Sequence, residues 1–133
     1  MHALSNRAAY LSALGRFYEA RTSGQEALGL ARELGIALGT VIAMQHLAAV
    51  AVLRPNEAAS DSANDRARGA QLLGFVDERL SEMEFVRQYT EQQEYDKIIN
   101  ALNLALGQER LERLMAEGRT WTEDQAALLA LEI

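Results

Sequence analysis

Between Gly15 and Gly35 the chain reads GRFYEARTSGQEALGLARELG, and the placing of its small residues limits the fold more than any other feature. Ala20 and Ala27 stand seven residues apart, so on a helix they share one face. A face that served only to bury area would carry leucine at both points. Alanine instead lets another backbone come close, as stacked helix pairs require. Ala67 and Gly74 repeat the same spacing further along. Leu, Ala, Glu, Gln and Arg dominate the sequence, all good helix formers, and there is one proline. The fold class expected is all-α.

Glycines and polar stretches divide the chain. A first helix over about Ala3 to Leu14 ends at Gly15, and a second runs from Phe17 to Leu34 with Gly35 as a left-handed cap. Ile36 to Leu53 forms a third, apolar on nearly every side. It is long enough to be confused with a membrane span, but its alanines and the central Gln45 and His46 point to a helix buried in a stack. Arg54 to Asp65 carries no apolar period and reads as a polar loop, with Asn64 or Asp65 capping the next helix. That helix presents Ala67, Leu72, Leu73, Val76 and Leu80. A fifth covers about Phe85 to Leu106 and is broken by Gly107. QERLERLMAEG is a short helix closed by Gly118. The last begins with a capping box of Thr122 and Gln125, with Trp121 stapled on Ala126. The expected organisation is one helical domain over 1–133, with a first hairpin at 1–35, a second at 36–81 including a loop at 54–65, and C-terminal helices at 85–133.

Charge and composition exclude several functions. Thirteen basic residues against nineteen acidic ones give a net charge of −6, which argues against direct nucleic acid binding. There is no cysteine, hence no thiolate zinc site and no cysteine nucleophile. The N-terminus, MHALSNRAAYL, lacks the pattern of a signal peptide, and a cytoplasmic protein without membrane contact is expected. His46 is the only interior histidine and has no companions at metal-ligand spacing, so it reads as a core or interface residue. The acids Asp77, Glu78, Glu82, Glu84, Glu91, Glu94 and Asp96 alternate with Arg79, Arg87 and Lys97 and read as a solvated face. No serine lies in a nucleophile elbow. No catalytic residue, metal site or cofactor is expected, and the chain reads as no enzyme.

The positions of the small and large residues resemble the tetratricopeptide repeat. Leu4, Ala8, Leu11, Gly15, Phe17, Ala20 and Ala27 fall on its motif in a first unit. Met44, Leu47, Ala48 and Ala51, then Ala67 and Gly74, do so in a second. Arg7, Gly24 and Arg32 depart from its usual leucine, aromatic and proline. The resemblance implies antiparallel helix hairpins of tetratricopeptide-like type, followed here by a C-terminal helical extension. It also implies a partner-binding groove lined by the first helix of each hairpin: Ser5, Ala9 and Ser12, with Ala13 beside them, then Ile42, Gln45, Ala49 and Val52. The second set is apolar for a surface in contact with water, so a cover from the fifth or terminal helix is expected.

A second resemblance spans RGAQLLGFVDERL (68–80) and LNLALGQERLERLMAEGRTWTEDQAALLAL (102–131). These stretches are similar to the end of the helical-repeat region in bacterial multidomain ATPase-type transcriptional regulators. That similarity implies a regulatory module that binds a protein or peptide, without chemistry of its own. A homodimerisation module and a small-molecule-sensing helical domain stand as alternatives.

Overall fold

A computed structural model describes residues 2–55 and 59–133, with side chains at 4–55 and 63–133. Among the described residues the chain is all-helical and contains no strand. The elements are α1 (His2–Ala13), α2 (Phe17–Leu34), α3 (Ala37–Leu53), α4 (Ala59–Glu82), α5 (Tyr89–Leu106), α6 (Gln108–Arg119) and α7 (Glu123–Leu131). Short turns reverse the chain between α1, α2 and α3, so that each packs on the next. Gly35 closes α2 at φ 69°, where its N–H reaches Arg32 O and the next N–H reaches Ala31 O. That left-handed cap satisfies two carbonyls the helix end would otherwise leave open.

α3 is the centre of the molecule. Every residue from Thr40 to Val52 is buried, because α1, α2, α4, α5 and α7 all pack around it. Two apolar clusters meet along it. The larger joins Leu11, Ala20, Ala27, Leu28, Met44 and Leu47 to Leu72, Phe75 and Val76 of α4, and to Ala126, Ala127 and Ala130 of α7. The smaller joins Ala49 and Val52 to Leu73 of α4, Ile98 and Leu102 of α5, and Leu111 and Met115 of α6. The neighbours Leu72 and Leu73 thus serve different clusters, which makes α4 the wall between them.

Three boundaries differ from the sequence reading. α4 begins at Ala59, so 59–65 is helix and the expected loop at 54–65 is shorter; its 56–58 portion lies outside the described residues. This stretch, Ala-Ser-Asp-Ser-Ala-Asn-Asp, has only two alanines among weaker helix formers and no apolar stripe, so its sequence carries little helix signal of its own. Asp65, expected as a cap, instead lies buried inside the helix, where Arg54 Nη2 donates to it at 2.7 Å. α5 begins at Tyr89 and not near Phe85. The chain turns at Glu84 (φ 54°), Phe85 packs against the larger cluster, and Gln88 caps the helix in a box with Glu91.

Gly118 is the third difference, since α6 continues through it to Arg119. A Cβ there would fall on the carbonyl oxygen of Gln71, and one on Gly74 would fall on that of Met115. The two glycines let α4 and α6 lie backbone against backbone.

At the C-terminal end the Thr122–Gln125 capping box is present, and Trp121 packs on the larger cluster beside buried Ala126.

Candidate functional site

α1 and α5 both pack on α3, and a trough lies between them. Its larger hollow, of about 490 Å³, is lined by Ser5, Asn6 and Ala9 of α1 and by Leu38, Ile42 and His46 of α3. Phe85 and 88–91 form its far side. A smaller hollow of about 120 Å³ continues along Ala9, Ser12 and Ala13 to Leu53, Gln93, Glu94 and Lys97. The two share Ala9 and Thr90 in their linings.

Beneath it lies a buried polar network. His46 is 3% exposed, and its Nδ1 lies 2.7 Å from Glu94 Oε1. Gln45 Nε2 donates to the same oxygen and to the main-chain oxygen of Glu91, each at 3.0 Å. Arg87 Nε donates to Gln45 Oε1 at 2.6 Å, and Arg87 Nη2 to Asp77 Oδ1 at 2.6 Å. The guanidinium carbon stands 3.9 Å from the centre of the Tyr95 ring, and the Tyr95 hydroxyl donates to Asp77 Oδ2 at 2.8 Å. The chain of contacts ties α3, α4 and α5 to the turn before α5.

The protonation of the pair follows from its surroundings. Burial pushes the His46 pKa down, but the charge and hydrogen bond of Glu94, with the charge of Glu91, carry it above the ordinary histidine value. Burial pushes Glu94 up; His46, Gln45 and Arg87 outweigh it and hold the carboxyl below its ordinary value. Both shifts favour the charged pair, an imidazolium against a carboxylate, with Nδ1–H donating to Glu94. Burial, then the charge and hydrogen bond of Asp77, push Tyr95 up and keep it a neutral phenol.

The expected groove residues divide between two environments. Ser5, Ala9, Ser12 and Ile42 line the trough. Gln45 and Ala49 are fully buried and Val52 nearly so: α5 covers this half of the face, placing Ile98 and Leu102 in one cluster with Ala49 and Val52. These three belong to the interior, and no partner reaches them. The cover is α5; α7 packs instead into the larger cluster. The acids also divide. Glu94 is buried and Asp77 is bound to Arg87 and Tyr95, whereas Glu82, Glu84 and Asp96 face solvent as expected.

Glu94 and Arg87, placed on a solvated face by the sequence reading, are the members of this network whose burial and partners it missed. A signal for them existed: Gln45 and His46 in an otherwise apolar helix require buried partners, because unpaired polar groups there cost free energy. Among the described residues no three potential metal ligands come together, and no helix is long and apolar enough to cross a membrane. Comparisons with protein-family profiles, curated proteins and solved structures give no match for this chain.

Proposed function

We propose that the chain is a non-catalytic scaffold of tetratricopeptide-like hairpins that binds a segment of another polypeptide in the α1–α5 trough. The observation that carries this reading is the trough itself. Along α1 it runs from Ser5 to Ala13, about 12 Å of helix. That length takes about four extended residues. Its walls mix apolar side chains (Leu38, Ile42, Phe85) with polar ones (Ser5, Asn6, Thr90), the composition a main chain and its alternating side chains need. The burial of Ala20 and Ala27 at their paired positions supports the hairpin type. The similarity of 68–80 and 102–131 to bacterial ATPase-type regulators extends the proposal: the scaffold serves as a partner-binding module in transcriptional control.

Selection of peptides from a displayed library, repeated with Ala9→Trp, tests it. The tryptophan stands where the linings of the two hollows meet. Peptides selected on the parent protein are expected to lose binding to the variant while its melting temperature is retained. Equal binding to both proteins overturns the reading.

A small-molecule sensor is the second reading, favoured by the 490 Å³ hollow, within the range of about 300–1,000 Å³ usual for ligand sites.

A further inference from the structure

The trough has a chemical preference set at its floor. His46 lines the larger hollow, and Glu94 occupies its Nδ1. Its Nε2 has no hydrogen-bond partner among the described residues, so Nε2 is the polar atom His46 offers to an occupant. With the Glu94 carboxylate 2.7 Å from Nδ1, the protonated ring is favoured, and in it Nε2–H is a donor in a mostly buried place that calls for an acceptor.

Charge decides which acceptor. Glu91 lines the same hollow, and among the described residues no cation pairs with it; Oε2 accepts the Gln88 main-chain N–H at 2.8 Å. Glu94 is already balanced by His46. Arg87, whose charge also acts on Glu94, is paired with Asp77, so a carboxylate brought to Nε2 would meet Glu91 with no cation to spare, and like charges at such range repel. An uncharged carbonyl avoids that cost, and a neighbouring cation would answer Glu91. The net charge of −6 favours a basic partner in the same sense.

Resting on the polypeptide-binding reading, we propose that the trough holds an extended segment of a partner chain. One of its main-chain carbonyls accepts from His46 Nε2, and a nearby lysine or arginine pairs with Glu91. Alternate side chains of such a segment would meet the apolar wall of Leu38, Ile42 and Phe85.

Two mixtures of acetylated, amidated tetrapeptides test this, one with lysine fixed at a single position and one with glutamate fixed there. Each is titrated into isotope-labelled protein while the imidazole nitrogens are followed by NMR. The lysine mixture is expected to move the His46 Nε2 signal and to bind at least about tenfold more tightly. Glu91→Gln should remove most of that preference and keep the fold, because glutamine still accepts the Gln88 N–H. Should both mixtures bind equally with His46 unmoved, the trough still binds polypeptide but this assignment is wrong. If neither mixture moves the resonances of Ala9, Ile42 or Thr90, the assignment and the polypeptide-binding reading fail together. Acetate moving Nε2 more than the lysine mixture does would replace the assignment with an anion site.

Discussion

His46 occupies a position on α3 where leucine would bury as much area without any polar cost, so its partner must repay its presence. Glu94 does so from 48 residues away, with Gln45 and Arg87 completing the shell. Removing one member strands the other. His46→Leu leaves a buried carboxylate without its cation and should cost about 3–5 kcal/mol in denaturant unfolding. Replacing both (His46→Leu with Glu94→Leu) should recover most of that loss, because an apolar pair satisfies itself. Additive losses in the two single variants and the double would mean that the residues do not act as a pair.

The same pair sets a pH window. The folded-state pKa of His46 is raised, so its contribution is complete below the ordinary histidine value of about 6.5 and fades as pH rises through the raised one. That of Glu94 is lowered, so its contribution is complete above the ordinary glutamate value of about 4.3 and fades as pH falls through the lowered one. The pair therefore stabilises most between about pH 4.3 and 6.5. The difference in unfolding free energy between the parent and the doubly substituted protein should be most favourable to the parent in that window. A difference that is flat from pH 4 to 9 contradicts the pairing.

At the scale of elements, the contact between α4 and α6 depends on two missing side chains. Gly74→Ala places a Cβ on the Met115 carbonyl oxygen, a backbone atom that no rotamer change can move. The helices must part, at a cost of about 1–3 kcal/mol. Gly29→Ala is the control: it lies in α2 with nothing near its Cβ and should be neutral or slightly stabilising. Thermal melts of the two variants check this, and equal melting temperatures would mean that α4 and α6 lie further apart.

Several helix ends were legible from a local signal, as at Gly35, Gly107 and the Thr122–Gln125 box, whereas the Gln88–Glu91 box at the start of α5 went unread. The start of α4 was not legible either, because 59–65 carries no apolar stripe and is made mostly of Ser, Asp and Asn, which are weak helix formers. Gly118 misled for a different reason. In sequence a glycine that ends a helix and one that admits a neighbouring backbone look alike, and only the approach of Gln71 tells them apart.

At the scale of the molecule, the face shared by α1 and α3 is half closed by α5. The apolar residues Ala49 and Val52 signalled that something must cover them, which was readable from hydrophobicity alone. That α5 does so was not readable, since α5 and α7 both carry apolar residues of suitable spacing. The choice rests on the polar anchor: Glu94 lies on α5 and finds His46, whereas α7 offers alanines that fit between α2, α3 and α4. What remains open is the α1 side, where the first residues of α5 form one wall of the proposed binding surface and α1 the other.

Methyl-labelled NMR tests this arrangement most directly, through cross-relaxation between the Ala49 methyl on α3 and the methyls of Ile98 and Leu102 on α5. The structure predicts cross-peaks from Ala49 to that face of α5, and none to Leu128 or Leu131 of α7. Cross-peaks to α7 in place of α5, or an Ala49 methyl that meets only water, would contradict it.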